Sequence, residues 1–271
     1  MTRPLTGLLL GLLILTAGCA TPPSDPAARA EFEATNDPLE PMNRQIFDFN
    51  QFLDRILLKP VAQGYRAVVP EIGRNAIRHF LDNLGEPVVL ANDLLQGDLT
   101  RANLTAGRFL MNSTFGAAGL ADLATDAGAA PQSGDFGQTL YTWGFEDGPY
   151  LVLPVFGPSD VRDAIGLGVD DEMDPFGWLA FVHGYSGITY GRWALWGIDE
   201  RSRLIDTLDE LQRTSVDFYA QMRSLWRQHR ASVLRKGAPG PMPGLDTLYR
   251  DPAAAPTQTL TKFEPSAALS R

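Results

Sequence analysis

The segment GPYLVLPVFGPS, Gly148 to Ser159, limits the fold more than any other stretch of this chain. It carries no charge, yet it is too short to cross a bilayer, which takes about 20 apolar residues. Pro149, Pro154 and Pro158 interrupt it too often for a helix, and Pro154 has no N–H to give to a sheet ladder. The spacing predicts an irregular apolar segment, with Tyr150 to Leu153 as the single credible strand and no polar–apolar alternation inside it. Irregular backbone at membrane depth is tolerated only where protein or a water-filled cavity satisfies its polar groups. Two readings follow: a buried connector, or a segment that touches lipid.

The amino terminus, MTRPLTGLLLGLLILTAGCA, has one positive charge at Arg3, an apolar run from Leu5 to Ala17, and small residues after it. That is the anatomy of a secretory signal peptide over residues 1–18, not of a membrane span. Cys19 is the only cysteine, so no internal disulfide can form. LTAGC resembles a bacterial lipoprotein signal, in which Cys19 becomes the lipidated first residue; a free thiol behind an ordinary cleavage site is the alternative. Each buried methylene contributes about 0.8 kcal/mol, and stable anchoring takes more than one chain. A lipoprotein amino terminus carries several.

Residues 19–36 read as a lipidated N-terminus and flexible tether. Residues 37–236 are the size of one domain. Residues 237–271, rich in Pro, Ala and Thr, read as a disordered tail. The domain reads as all-α. Met42, Ile46, Phe49, Leu53 and Ile56 recur at helical spacing, with Pro60 expected to end that helix. A second stripe runs from Ile72 to Leu84, and EPVVLANDLLQGD gives a short third helix with Pro87 in its first turn. LTRANLTAGRFLMNSTF continues helically, and a long helical stretch runs from Leu204 to Trp226.

A formal net charge of −9 argues against a nucleic-acid partner and against docking on anionic lipid. Any membrane contact must be apolar. Enzyme motifs are near misses. HGYSGI has Ile188 where a nucleophile elbow needs its second glycine. His79, His183 and His229 make no H-x-x-x-H pair, and DDEMDP (Asp170 to Pro175) lacks the glycine turn and closing glutamate of a calcium loop and reads as a solvated acidic loop. No metal or cofactor is expected.

Phe176 to Ile198 holds Trp178, Trp193, Trp196, Phe181, Tyr185 and Tyr190 around one strong charge, Arg192. Trp and Tyr suit a membrane interface, with an apolar body and a polar handle. Core aromatics of one helical domain are the other reading.

Four ordered blocks carry a family resemblance. NDPLEPMNRQIFDFN, RNAIRHFLDNLGEPVVLANDLLQGD, GRFLMNSTFGAAGLADLA and DFGQTLYTWGFEDGPYLVLPVFGPSDVRD resemble the signature blocks of the MlaA/VacJ lipoproteins. The resemblance implies a single ring-shaped helical domain embedded in the inner leaflet of the outer membrane, facing the periplasm, with an amphipathic central channel. It implies removal of misplaced phospholipids from the outer leaflet, with no covalent chemistry. It also implies two partners, an outer-membrane trimeric porin and a soluble periplasmic carrier that receives the lipid. A periplasmic lipid hydrolase and a structural envelope lipoprotein are the competing functions.

On that reading Leu151, Val152, Leu153, Val155, Phe156, Trp178, Trp193 and Trp196 are expected to line the channel or touch the membrane, and Arg192 to snorkel toward phosphates. Gly116, Gly119, Gly128, Gly134 and Gly137 are expected to bound a mobile gating loop, with ordinary turns as the alternative.

Overall fold

The computed structural model describes residues 35–236, together with Ser24, Asp25 and Arg29. The expected signal peptide, the lipidation at Cys19 and the tail 237–271 lie outside the described residues.

The first helix, α1, spans Glu40–Leu53. It does not end at Pro60. A π-helical segment, Asp54–Leu58, carries the chain directly into α2, Lys59–Val68. Proline lacks an N–H, and its ring crowds the carbonyl four residues back. Widening the turn lets Lys59 N–H reach the Asp54 carbonyl and leaves Pro60 in the first turn of α2, where a missing N–H costs nothing.

The expected break at Pro87 is also absent. Helix α3 runs unbroken through it, from Glu71–Leu95. It packs along α4, Leu99–Thr114, more extensively than any other pair of elements pack among the described residues. Burial along that seam outweighs one lost backbone hydrogen bond. A connection holding the short α5, Leu123–Asp126, leads to α6, Phe136–Thr142. After the 150s come α7, Val161–Met173, and α8, Pro175–Val182. The carboxy-terminal helical stretch is two helices, α9, Ser186–Thr214, and α10, Phe218–Leu234.

Acidic side chains set the starts of these helices. Asp98, Asp122, Asp135, Asp160, Asp174 and Asp217 each accept a backbone N–H at the first turn of α4, α5, α6, α7, α8 and α10. Such a cap contributes about 1 kcal/mol, and the negative charge suits the helix dipole. Part of the acidic excess therefore does structural work.

The all-α expectation holds for the bulk of the described residues, with one exception. Tyr150–Leu153 (β1) and Gly157–Asp160 (β2) pair antiparallel, Tyr150 opposite Asp160 and Leu153 opposite Gly157. Pro154 lies in the connection, outside the ladder, so it does not obstruct the hairpin. Every β1 side chain is apolar, yet burial alternates: Tyr150 and Val152 are buried, Leu151 and Leu153 half-buried.

The apolar core is small. Phe47, Tyr150, Val152 and Tyr219 form it, flanked by Ile46, Phe218, Met222 and Trp226. Phe47 and Tyr219 meet edge to face at 5.5 Å. Elsewhere Leu81, Ile205 and three alanines are buried, but most of the remaining interior is polar. Asp37, Asn43, Asn92, Asp93, Thr105, Thr139, Asp199 and Ser202 are all fully buried. Asp93 accepts from the Thr105 hydroxyl at 2.7 Å, and Arg108 donates to Glu86 at 2.9 Å, both pairs out of solvent. Large apolar side chains face outward instead: Val68 is 83% exposed, Phe115 79%, Ile72 81%. Buried polar groups and exposed apolar patches are the informative departures from an ordinary soluble domain, and here they occur together.

Candidate lipid-contact surface

The uncharged segment is regular because three asparagines complete it. Asn36, Asn43 and Asn50 recur every seven residues. Tyr150 N–H donates to the Asn36 carbonyl at 2.9 Å, and the Asn36 side chain donates to Gly148 O at 2.6 Å. Asn43 donates to Tyr150 O at 3.0 Å and accepts from Val152 N–H at 2.9 Å. Asn50 donates to Leu153 O at 2.9 Å and accepts from Val155 N–H at 2.8 Å. Asn36, just ahead of α1, and the side chains of Asn43 and Asn50 on α1 thus act as a third strand along the outer edge of β1. Between Asn43 and Asn50 the geometry matches: seven helical residues advance about 10.5 Å, and the three residues from Tyr150 O to Leu153 O about 10 Å; Asn36, ahead of α1, is only two residues back along the segment, at Gly148 O. Asp37 locks the arrangement, accepting from Asn43 at 2.8 Å and from the Tyr219 hydroxyl and Arg223 at 2.5 Å. Burial and the Asp37 carboxylate hold the Tyr219 hydroxyl far above its usual range.

This frame divides the residues expected to touch lipid. Val152 is removed from that set, because it is fully buried in the core cluster. Leu151 and Leu153 point to the other side and are half-buried. Val155 and Phe156, at the hairpin tip, are strongly exposed. Phe156 packs edge-on against Trp193 at 6.2 Å, and Trp193 against Trp196 at the same separation. The structure therefore joins the hairpin tip to α9, two regions the sequence offered separately.

Helix α8 buries no residue. Trp178, Leu179, Phe181, Val182, Tyr185, Ile188 and Tyr190 are all exposed along α8 and the start of α9, so the core-aromatic reading fails for this segment. A cleft of about 360 Å³ lies between these helices and Leu84 of α3, walled by Phe176, Leu179, Tyr185 and Ile188. Arg192 lines it too but does not snorkel freely: its guanidinium pairs with Asp174. DDEMDP is likewise not a solvated loop. Asp174 caps α8. Asp170 accepts from Asn92 at 2.8 Å and from Phe136 N–H at 3.0 Å, and burial pushes its carboxyl up to about 6. Among the described residues no group of three His, Cys, Asp or Glu is placed to hold a metal ion.

Of the gating-loop glycines, Gly137 is not in a loop. It is buried in α6, where a Cβ would strike Asp163 and Arg230, and Gly166 of α7 packs against its backbone. Gly119 has φ +94°, and a Cβ there would come within 2.6 Å of Asn83. Gly116 and Gly134 sit against Asn112 and Val89, while Gly128 faces open space. Arg108 ties the connection to α4, donating to Thr125 at 3.0 Å and Asp122 at 3.2 Å. Burial would raise the Asp122 carboxyl, but hydrogen bonds from Thr125, Asn112 and Arg108 overcome it and bring it to about 2.

Comparison with known proteins bears on this inverted architecture. The family model described as "MlaA lipoprotein" matches residues 35–233. The chain belongs to the MlaA lipoprotein family. It is 34% identical over 241 residues to the "Intermembrane phospholipid transport system lipoprotein MlaA" of Escherichia coli (strain K12), covering 88% of this chain and 91% of that one. It is 32% identical over 233 residues to the protein of the same description from Haemophilus influenzae, covering 84% and 89%. A solved structure from work on the "structural basis for maintenance of bacterial outer membrane lipid asymmetry" superposes with a TM-score of 0.65 at 36% identity, covering 73% of this chain and 98% of that one.

Within this MlaA family member, the motifs that carried the resemblance now have physical roles. Asp37 and Asn43 of the first block hold β1, Glu86 and Arg108 of the second and third pair in the interior, and Asp135 and Asp163 of the fourth bind Arg230 at 2.7 and 2.6 Å. The seven-residue asparagine spacing was readable in the sequence. Its partners, more than 100 residues away, were not.

Proposed function

We propose that this MlaA family member carries phospholipid out of the outer leaflet of the outer membrane and so maintains lipid asymmetry. The observation that carries the reading is the partial inversion of the domain, with charges paired inside and many large apolar side chains, those of α8 among them, exposed. Apolar area removed from water contributes about 25 cal/mol per Å², so the exposed aromatic faces of α8, α9 and the hairpin tip favour a hydrocarbon environment. No helix among the described residues is long and apolar enough to cross a membrane. A ring lying within one leaflet, anchored through acyl chains on Cys19, accounts for both facts. Its paired interior charges allow a headgroup to pass where bare hydrocarbon would not.

On this reading Leu151, Leu153, Val155 and Phe156 meet acyl chains, and Trp178, Trp193 and Trp196 set the depth of the ring. A trimeric porin holds it in place, and a soluble periplasmic carrier takes the lipid away. Lipid moves down its own gradient, and the chain carries out no covalent step. The test places the lipidated protein and a trimeric porin in vesicles with fluorescent phospholipid, and adds the periplasmic carrier outside. Transfer of intact labelled lipid to the carrier is expected. No transfer refutes the reading, and release of free fatty acid replaces it with the hydrolase.

A further inference from the structure

A second cavity, about 390 Å³, opens beside α10, away from the aromatic cleft. Its walls include Arg162, Arg223, Ser224, Trp226, Asp147 and Asp160. Both signs of charge are present, and their bonding is lopsided. Arg162 is buried, but its two side-chain hydrogen bonds, to Asp163 and Asp160, are both long at 3.3 Å, and its Nη1 makes none among the described residues. Arg223, its guanidinium 5.4 Å over the Tyr219 ring, bonds Asp37 and Glu40 through Nη1, and its Nη2 and Nε make no hydrogen bond among the described residues. Ser224 accepts from Gln228 at 3.0 Å, so its proton remains available. Asp147 offers the opposite charge: its backbone carbonyl accepts from Arg162 N–H, but its exposed carboxylate makes no hydrogen bond among the described residues. The Trp226 ring stands in the same wall.

The ligand that completes such a cavity has a phosphate oxyanion for the spare guanidinium donors and a small cation for the carboxylate and the indole face. An apolar exit adjoins it. The Arg162 guanidinium lies 5.5 Å over the ring of Tyr141, exposed near the end of α6, and Trp143 and Phe145 are exposed just after it, in the connection before β1. We propose that the α10 cavity binds the zwitterionic headgroup of a phospholipid of the phosphoethanolamine class, with its acyl chains leaving over Tyr141, Trp143 and Phe145. The assignment rests on the phospholipid-transport reading and adds to it a binding site and a headgroup class.

Titration calorimetry on the full mature chain in detergent tests it, with sn-glycero-3-phosphoethanolamine, sn-glycero-3-phosphate and inorganic phosphate as probes. The ethanolamine ester is expected to bind about tenfold more tightly than either other probe. Asp147→Asn is expected to erase that preference, and Ser224→Tyr, which fills the cavity from a helical surface position, to weaken all three by more than about tenfold. Arg213→Gln, in an exposed ion pair with Glu210 on α9, should change nothing. Equal binding of phosphate and the ethanolamine ester makes this an anion site and overturns the proposal, as does absence of heat with every probe. Should Ser224→Tyr fail to fold by circular dichroism, the exposed Asp147→Asn decides alone. The transfer assay on the same preparation separates the two readings: transfer without headgroup binding removes this site and keeps the function, and binding without transfer does the reverse.

Discussion

Asn43 and Tyr150 stand 107 residues apart, and the Asn43 side chain donates to the Tyr150 carbonyl at 3.0 Å while fully buried. Its oxygen accepts from Val152 N–H in the same plane of contacts. Removing it strands a buried carbonyl and a buried N–H, each at a cost of about 1–3 kcal/mol. Asn43→Ala is expected to destabilise the domain by about 2–4 kcal/mol. Asn43→Asp, which cannot donate to Tyr150 O, should be at least as damaging. Asn50→Ala, at a half-buried position nearer the tip, should cost less. Chemical denaturation in detergent ranks the three, and a harmless Asn43→Ala would show that β1 does not depend on α1.

The hairpin separates core from exposed surface within five residues, Val152 to Phe156. Val152→Asp places an unpaired charge in the core and should prevent folding. Val155→Asp and Phe156→Asp act on exposed side chains. They should leave the helical circular dichroism signal intact and reduce retention in vesicles on flotation. Normal flotation of the folded Phe156→Asp protein would place the membrane contact elsewhere.

The tryptophans of α8 and α9 should report depth. In variants keeping one tryptophan each, brominated lipid is expected to quench Trp178 and Trp196, the exposed pair, more than Trp193, which is shielded between Phe156 and Trp196. Equal absence of quenching at all three would exclude this surface as the membrane seat.

Gating through the connection between α4 and α6 has a direct test. A Cβ at Gly134 would meet Val89 of α3 at 2.9 Å, so cysteines at positions 89 and 134 lie close enough to bridge. Oxidation is expected to slow lipid transfer severalfold, and reduction to restore it. Unchanged transfer in the oxidised protein would make the connection static.

Burial pushes the Asp160 carboxyl up to about 6 from an ordinary 3.8. The folded state therefore holds a proton that the unfolded state has released. That stabilisation is complete below about pH 4 and is lost as pH rises through about 6. Asp160→Asn keeps a capping oxygen for α7 but cannot ionise. Relative to it, the wild type should lose on the order of 1–2 kcal/mol between about pH 4 and 7 after allowing for solvent screening. Parallel melting curves for the two proteins would mean that Asp160 does not titrate in this window.

The sequence by itself determined the helices at the two ends of the domain and the family, because these are written in spacings of three to seven residues and in contiguous motifs. It misjudged Pro60 and Pro87, since a local rule ends a helix at proline, whereas a π turn in one case and the seam with α4 in the other carried the helix through. The aromatic run from Trp178 to Trp196 was visible as composition, but composition cannot say which side of a helix has neighbours. Only the tertiary structure decided that Val152 turns inward while Val155 and Phe156 turn outward, that Arg192 is held by Asp174, and that Arg162, Asp147 and Trp226 wall one cavity. The physical reason is distance along the chain. Periodicity is a property of neighbours, and burial is a property of partners that the fold brings from far away, as Asn43 meets Tyr150 and Asp37 meets Tyr219.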